Sequence, residues 1–237
     1  MSLAAHVRER GHEPPPFLNK RFDAAARALS DPGNTMIGHV QPGPVFDALV
    51  AARDALAATA AGPTFAWLPP ASYHMTIFDG VLHGRRDAEF WPTGLNRDAT
   101  EDQAERFVFS RLENMRPDGH RAPFRLRPLA LEPSRGAGVW VRLSGADAAE
   151  ERRLRAFRDA CAEGLGLAHR PGHAAYTFHI TMAYSLAWPS PAEAEAFDAV
   201  IAEADAAFRA AAPVIEIGPP ELCRFSDMTH FEVVKRL

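Results

Sequence analysis

The sequence repeats one pattern of elements at a fixed offset, and this repeat limits what the chain can fold into. His74 and His179 are 105 residues apart, and each stands two residues before a threonine in a run of β-branched and aromatic residues. With the same offset, a predicted strand that starts at Thr35 corresponds to a strand around Trp140, and the helices that follow are also in register. Strand, helix, histidine strand, helix and strand pair therefore occur twice. Sequence identity between the halves is slight, so the repeat rests on the pattern.

Turn residues and hydrophobic periodicity divide the chain into helices and strands. Ser190 followed by Pro191 is typical of a helix start, and Gly164 and Gly166 close the helix before the second histidine strand. The predicted helices are 45–59, 100–115, 146–163 and 191–211, and the predicted strands are 35–40, 72–78, 124–131, 139–143, 175–184, 214–217, 222–225 and 231–235.

Two half-repeats of this kind predict an α+β protein with two lobes. Each lobe would have an antiparallel-rich sheet and outer helices, with an approximate two-fold axis between the lobes and an active cleft at their interface. A length of 237 residues fits one large domain or two lobes that share an interface. We expect an N-terminal extension over residues 1–33 and one domain over 34–237. Its half-repeats would span about 34–131 and 137–237, with an exchange of strands between them left open.

Composition excludes several classes of protein. A net charge of -4 and a pI near 6.2 argue against a protein that grips a DNA duplex or long RNA through its overall field. Cys161 and Cys223 are too few for a disulfide framework, and we expect both to be buried and reduced. The first 16 residues contain no apolar run of signal-peptide or membrane length, which predicts a soluble, cytoplasmic protein without a membrane partner. Oligomeric partners cannot be predicted.

Each motif histidine shares a strand face with its threonine. Residues two apart in a strand project to the same side, so the strand 72–78 directs His74 and Thr76 to one wall. The second histidine strand does the same with His179 and Thr181. Each lobe therefore offers one imidazole and one hydroxyl to the cleft. The side chains expected to face away from the cleft are those of Tyr73, Met75, Ile77, Tyr176, Phe178, Ile180 and Met182.

Chance must be weighed against this doubled motif. Ten histidines and about nine threonines would produce roughly 0.4 His-x-Thr tripeptides by random placement, so one copy carries little weight. Two copies at corresponding points of a repeat are much more specific. The alternative is that each histidine is a satisfied residue of the sheet that happens to have a hydroxyl neighbour.

The residue types suit acid–base chemistry at a phosphate. An imidazole with a pKa of about 6.5 can act as an acid or a base near neutral pH. One histidine would take a proton from attacking water, and the other would give a proton to the departing sugar oxygen. Thr76 and Thr181 would donate hydrogen bonds to the non-bridging oxygens. This chemistry requires no metal and no cofactor.

Paired His-x-Thr strands in two half-repeats resemble the signature of the 2H phosphoesterase superfamily, which includes 2'-5' RNA ligase-like proteins and cyclic phosphodiesterases. The resemblance covers nearly all of residues 34–235, and the runs 69–80 and 176–181 are most similar to an uncharacterised branch. It implies the bilobal fold, with His74 and His179 as catalytic residues and Thr76 and Thr181 as phosphate-binding residues. It implies no particular substrate.

Alternation along residues 139–144 directs two further side chains to the cleft. Trp140 would stack on a base, and Arg142 would clamp a phosphate. A sheet-covering aromatic and a surface ion pair are equally good interpretations of these two residues. Thr35, which the offset aligns with Trp140, is a weaker polar candidate. His39, aligned with Ser144, is expected to be structural or exposed.

The leading hypothesis is metal-independent hydrolysis of a cyclic or 2'-5' phosphodiester. The expected substrate is a small nucleotide, an RNA end or a nucleotide-derived metabolite. RNA 2'-5' ligation by reversal of the same chemistry is an alternative that ranks lower because of the acidic charge balance. A module that binds a phosphorylated ligand without turnover is the other alternative. The sequence lacks the motifs of serine hydrolases, P-loop proteins and zincins.

Overall fold

The computed structural model of the protein describes residues 1–113, 115, 123–134 and 136–237. Five α-helices, two short 3-10 helices and nine strands lie within these residues, and every predicted helix and strand is among them. The α-helices are α1 (Leu3–Arg10), α2 (Pro44–Ala57), α3 (Glu101–Leu112), α4 (Ala148–Leu165) and α5 (Pro191–Ala211). The strands are β1 (Gly33–His39), β2 (Phe65–Trp67), β3 (His74–Leu82), β4 (Phe124–Pro133), β5 (Gly138–Gly145), β6 (His179–Ser185), β7 (Ile215–Ile217), β8 (Glu221–Asp227) and β9 (His230–Arg236).

The ends of the helices follow the local sequence. Ser190 caps α5 in a capping box with Glu193, and Pro191 takes the first helical position, as predicted. Thr100 caps α3 in the same way. Gly166 ends α4 in the left-handed conformation, with φ of 66°, which glycine adopts without steric strain.

Among the α-helices and strands, two elements, α1 and β2, lie outside the predicted set. α1 is fixed by a distant residue, because the Asp198 carboxylate on α5 accepts hydrogen bonds from the backbone N–H groups of Leu3 (2.7 Å) and Ala4 (2.9 Å). β2 has only three residues and is held by pairing with β6. Neither element has the local periodicity from which a sequence pattern is recognised.

The strands form one continuous antiparallel sheet in the order β7-β4-β5-β6-β3-β1-β8-β9, with β2 paired to β6 off this path. The order is symmetric about the junction of β6 and β3. Thus β3 corresponds to β6, β1 to β5, β4 to β8 and β7 to β9. β4 pairs with β5, and β8 pairs with β1, so strands from both halves of the sequence lie on each side of the junction.

The α+β class and the two-lobed antiparallel arrangement are confirmed, with one difference from the prediction. The two expected sheets are joined into a single sheet through one residue pair, Met75 opposite Ile180. The join lies directly next to the two motif histidines. The strands that carry them are therefore neighbours at the centre of the fold.

Helices cover the face of the sheet that the sequence assigns to the core. α5 packs on β4, α4 on β3 and β5, and α3 on β1 and β3. Cys161 and Cys223 are buried and unpaired, as predicted. In the described parts of the chain, no helix combines the length and the apolar character that a bilayer span requires. Six side chains predicted to face away from the cleft are at most 1% exposed: Tyr73, Met75, Ile77, Phe178, Ile180 and Met182.

Both histidine strands contain a β-bulge. In the β1–β3 pair, Ile77 is an extra residue between the partners of Ile37 and Met36. In the β5–β6 pair, Met182 is extra in the same way. An extra residue reverses the alternation of side chains beyond it. The residues that follow each bulge therefore face the opposite side from the one that regular alternation predicts.

The register also corrects the alignment of the two halves. Ile37 lies opposite Thr76, and Trp140 lies opposite Thr181, so Trp140 corresponds to Ile37. The constant offset, which aligns Trp140 with Thr35, is wrong by two residues at this strand. The reason is that the second half has two more residues between its paired strand positions, 140 to 181 against 37 to 76.

Candidate active site

The junction of the two lobes carries the four motif residues on one side. β3 begins at His74 and β6 begins at His179, and these strands are adjacent in the sheet. His74, Thr76, His179 and Thr181 all line one cavity of about 440 Å³. The fold therefore brings together the residues that the repeated motif singles out.

The backbone two residues before each imidazole fixes its orientation. His74 Nδ1 lies 2.7 Å from the carbonyl oxygen of Ser72, and His179 Nδ1 lies 2.7 Å from that of Thr177. Because a carbonyl only accepts, Nδ1 carries the proton in both rings, and a neutral ring keeps Nε2 as an acceptor. Neither Nε2 atom has a hydrogen-bond partner among the described residues. Each ring therefore offers a basic nitrogen to a ligand in the cavity.

The surroundings lower the pKa of both histidines. Burial lowers the pKa of His74 to about 4, and His39 and His179 add to this shift, while the backbone hydrogen bond and Asp79 oppose it. Burial also lowers the pKa of His179, against a backbone hydrogen bond and the charge of Asp79. Both rings are therefore neutral at pH 7 before a ligand binds.

An aromatic ring lies against each histidine. The ring centroid of Phe231 is 4.1 Å from that of His74, and the ring centroid of Trp140 is 4.5 Å from that of His179. These rings keep water from the imidazoles, which is the physical basis of the lowered pKa values. Trp140 also has a buried Nε1–H without a hydrogen-bond partner among the described residues. The side chain of Trp140 lines the cavity, as the sequence predicts, while this N–H is buried.

The two motif threonines have different neighbours. The Thr181 hydroxyl makes no hydrogen bond with any residue that the structure describes, although it lines the cavity. Thr76 lies beside Tyr176, whose pKa is raised by burial and brought partly down by a hydrogen bond with Thr76. A hydroxyl rotates freely enough to donate to a new acceptor. Both threonines can therefore turn a donor toward an anion held between the histidines.

Tyr176 lines the cavity, and the prediction that it points away from the cleft is wrong. That prediction assumes a regular strand over 175–184, whereas β6 begins only at His179. Alternation therefore does not apply at Tyr176. The guanidinium of Arg158 lies 3.8 Å from the centroid of the tyrosine ring and fixes its plane.

Asp79 and Tyr184 also line the cavity, and neither is among the site residues that the sequence predicts. Each follows a bulge, at Ile77 or at Met182, that turns it to the same side as the motif residues. Regular alternation would have placed both against the helices. The signal that could have revealed Asp79 is a charged residue at a position assigned to the core.

Arg21 comes from the segment before β1 and is the only arginine or lysine among the described residues that line the cavity. Its Nη1 donates a 2.7 Å hydrogen bond to the Tyr184 hydroxyl, and its Nε lies 3.4 Å from the Asp31 carboxylate. Its guanidinium carbon lies 4.5 Å from the centre of the Phe17 ring. Burial lowers the pKa of Arg21, but Tyr184, Asp31 and Asp79 together raise it above its usual value. No repeat reaches residue 21, which is why the sequence pattern could not indicate it.

The remaining predicted residues differ in their placement. Thr35 lines the cavity but is 3% exposed, and its hydroxyl donates to the Phe78 carbonyl oxygen at 3.3 Å. Arg142 is not among the residues that line the cavity, and its Nε donates to the Glu132 carboxylate at 2.7 Å. The structure therefore shows Arg142 in the ion pair that was the alternative to a phosphate clamp.

His39 holds the position on β1 that Arg142 holds on β5. His39 lies opposite His74, and Arg142 lies opposite His179. The His39 and His74 ring centroids are 6.2 Å apart, and His39 Nδ1 lies 2.5 Å from Glu221 Oε2. Each motif histidine therefore has a basic neighbour that is bound to a glutamate.

One group among the described residues has the composition of a metal site. The ligand atoms of His39, Glu221 and Cys223 all lie within 4.8 Å of one another. Glu221 is already bound by His39 and by Arg236 Nε at 2.8 Å, and burial raises the pKa of the Cys223 thiol to about 12. A protonated thiol is a poor ligand. The hydrogen bonds of this group account for its arrangement without a metal ion.

The chain is similar to known proteins. Residues 21–137 match the family described as 2H-phosphodiest, Domain of unknown function (DUF1868). The crystal structure of the conserved protein of unknown function ATU0111 from Agrobacterium tumefaciens has a TM-score of 0.89 and 31% sequence identity, covering 99% of this chain and 97% of that chain. No curated protein matches the chain. The family match supports an activity related to phosphodiesters in general. The chain therefore belongs to the 2H-phosphodiest (DUF1868) family, within the 2H phosphoesterase superfamily.

Proposed function

We propose that the protein hydrolyses a phosphodiester bond, cyclic or 2'-5' linked, in a nucleotide, an RNA end or a nucleotide-derived metabolite. The observation that carries the proposal is the pair of neutral imidazoles, His74 and His179, in one cavity. In each, the backbone occupies Nδ1 and leaves Nε2 for a ligand. Two such groups beside one phosphate can move both protons that hydrolysis requires, and the chemistry needs no metal ion.

In the proposed reaction, one neutral histidine accepts a proton from water at Nε2 while the water oxygen bonds to phosphorus. The bond between phosphorus and the departing sugar oxygen breaks, and the other histidine gives that oxygen a proton. A bound phosphodiester anion favours the protonated form of a neighbouring imidazole, because opposite charge raises its pKa. The histidine that acts as the acid therefore takes up its proton from solvent when the substrate binds.

We assign the base role to His74 and the acid role to His179. The pKa of His74 is about 4, and the neighbouring His39 contributes to lowering it. The pKa of His179 is also lowered, with burial as the main cause and Asp79 opposing it. The ring whose pKa is lowered further is the one that stays unprotonated when an anion binds, so His74 is the ring that is free to accept a proton from water.

Donors around the cavity would stabilise the charge that grows on the phosphate oxygens. The hydroxyls of Thr76 and Thr181 lie on the same wall as the imidazoles, and Arg21 supplies a full positive charge. Donors that are already in place cost little reorganisation when the transition state forms. Trp140 would stack on a base of the substrate.

A metal-free assay tests the proposal. Purified protein in EDTA should open 2',3'-cyclic nucleotides or cleave 2'-5' dinucleotides, with products identified by mass spectrometry. His74→Ala and His179→Ala should each lower kcat by on the order of 100-fold or more. His12→Ala is the matched control, because His12 is 76% exposed and outside the cavity, and it should keep the wild-type rate.

Full activity in either cavity variant would contradict the mechanism. Thermal stabilisation by these substrates with no product at any enzyme concentration would indicate a binding module instead. Activity that EDTA abolishes and a divalent cation restores would indicate metal-dependent chemistry.

A further inference from the structure

We propose that Asp79 binds a hydroxyl group of the substrate's sugar, next to the phosphate held between the two motif histidines. This inference rests on the proposed function, since it places a phosphate at His74 and His179. It adds a substrate-binding residue and selects, among the proposed substrates, the 2'-5' linked nucleotides, which keep a free hydroxyl beside the phosphate, whereas a 2',3'-cyclic phosphate has none.

The bulge in β3 directs the side chain of Asp79 into the cavity. Ile77 is the extra residue, Thr76 lies before it on the cavity side, and Asp79 lies opposite Thr35, which also lines the cavity. Bulges next to functional sites commonly serve to re-aim one side chain. Without this bulge, the carboxylate of Asp79 would face the helices and would need a buried partner.

Two arginines from the second half of the chain hold the backbone of the bulge. Arg158 Nη1 donates to the Ile77 carbonyl oxygen at 2.6 Å, and Arg170 donates to the carbonyl oxygens of Asp79 and Gly80, both at 2.8 Å. Arg158 is 3% exposed. Neither arginine forms an ion pair with a described carboxylate. Two buried or half-buried charges are therefore committed to the main chain that positions Asp79.

Gly80 has no side chain, which leaves room beside the bulge for the buried amide of Asn34. Asn34 Oδ1 accepts a hydrogen bond from the Val81 N–H at 2.9 Å, and a Cβ at Gly80 would overlap that oxygen. Glycine at this position lets Asn34 bond to the strand directly after the bulge. The irregular backbone is therefore supported from three sides.

The carboxylate of Asp79 itself has no partner among the described residues. It makes no hydrogen bond and no ion pair with them, although it is half-buried and is the only carboxylate among the described residues that line the cavity. Arg21, the cation of the same cavity, is bound to Tyr184 and Asp31 instead. The charges of Arg21, Arg158 and Arg170 act on this carboxylate from beyond ion-pair distance. A donor that enters the cavity would give it the hydrogen bond that it lacks.

The ligand group that donates a hydrogen bond to the Asp79 carboxylate is expected to be uncharged. A carboxylate accepts hydrogen bonds and repels a second anion, so it does not bind another phosphate. Asp79 lies three residues beyond Thr76 on the same strand, and both side chains line the same cavity. In a nucleotide, the uncharged donors beside the phosphate are ribose hydroxyls, which acidic side chains bind in other nucleotide sites. Phe225 and Leu82 supply apolar surface for the sugar ring.

Calorimetric binding of two product-like ligands tests the inference without requiring turnover. The ligands are adenosine 2'-monophosphate and 3'-deoxyadenosine 2'-monophosphate, which differ only in the hydroxyl next to the phosphate. Wild-type protein should bind the first about 10-fold to 100-fold more tightly, the range for a hydrogen bond to a charged group. In Asp79→Ala the two Kd values should differ by less than about 2-fold.

Matched variants separate this effect from a general disturbance of the site. Asp79→Asn keeps the size of the side chain, and the preference for the hydroxyl should fall without loss of folding. Asp159→Asn removes a carboxylate that is 59% exposed and outside the cavity, and it should keep the full preference. Circular dichroism confirms that each variant is folded.

Three results would overturn the inference: an equal preference in Asp79→Ala and wild type, no preference in wild type, or no binding of either monophosphate to wild type. The outcome is separate from that of the proposed function. Wild type that hydrolyses diesters but shows no Asp79-dependent preference leaves the catalytic proposal standing. Wild type that shows the preference but has no turnover supports the site and contradicts the catalysis.

Discussion

Removal of the His179 imidazole should affect substrates according to how strongly their leaving group needs a proton. If His179 is the acid, His179→Ala slows the departure of a sugar alkoxide, which is unstable without a proton. The same variant spares a p-nitrophenyl ester of the same nucleotide, because p-nitrophenolate departs as a stable anion. His74→Ala should slow both reactions, since water needs the base in each.

The pKa of His74 indicates why this ring is the poorer acid, and the usual contribution of general acid catalysis sets the size of the expected difference. With a pKa of about 4, roughly one His74 ring in a thousand is protonated at pH 7. An acid at this position would therefore lose a factor of about 1000, or about 4 kcal/mol. General acid catalysis contributes about 100-fold to 10,000-fold. We expect His179→Ala to lower kcat/KM by about 1000-fold for the sugar leaving group and by less than about 10-fold for p-nitrophenolate.

The assay measures initial rates for both substrates in EDTA at pH 6 and pH 7, by absorbance for p-nitrophenolate and by mass spectrometry for the nucleoside. His12→Ala again serves as the control, and it should match wild type on both substrates. An equal loss on the two substrates in His179→Ala would refute the acid role. If His74→Ala alone spares the p-nitrophenyl ester, the two roles are reversed.

Three further predictions concern the stability of the fold and the binding of substrate. Lowering the pH from 6.5 to 4 should reduce the free energy of unfolding by up to about 3 kcal/mol, because His74 takes up a proton at a higher pH in the unfolded chain than in the folded one. Urea titrations at the two pH values measure this loss, which should be smaller in His74→Asn. Arg21→Ala should raise KM by about 10-fold or more, and Tyr184→Phe, which removes only the hydroxyl that holds Arg21, should raise it less in steady-state kinetics. Gly80→Ala should lower the free energy of unfolding by about 1–3 kcal/mol, because the Cβ of the new alanine would overlap Asn34 Oδ1. An unchanged thermal unfolding temperature would contradict this reason.

The sequence predicts those parts of the site that depend on local periodicity. His74 and Thr76 are two residues apart before the bulge, so the alternation of one strand is enough to place them together. The same holds for His179 and Thr181. The alternation of apolar residues on the other side of these strands likewise predicts the buried face. The side chain of Trp140 follows from the same rule on β5, and it lines the cavity.

The parts that the sequence does not predict depend on contacts between distant residues. The bulge at Ile77 is held by Arg158 and Arg170, which lie more than 80 residues later in the chain, so no local pattern marks it. Asp79 reaches the cavity only because of that bulge. Arg21 reaches it from a segment that has no counterpart in the repeat. The error of two residues in aligning β1 with β5 comes from the two extra residues between β5 and β6, which no local pattern reveals.

The two halves of the fold are similar in backbone but different in charge beside the motif histidines. The symmetric strand order places His39, bound to Glu221, next to His74, and places Arg142, bound to Glu132, next to His179. An arginine keeps its charge at every relevant pH, and the corresponding position in the other half holds an imidazole instead. The pKa of His74 is lowered by burial and, in part, by His39. The pKa of His179 is lowered by burial and by the charge of Arg21. Hydrolysis needs one histidine without a proton and one with a proton. Two identical halves would give both imidazoles the same pKa and would not provide this difference. Burial is the main cause of the lowered pKa of both rings, and their different charged neighbours add to it unequally, which would provide the difference that acid–base catalysis by a repeated motif requires.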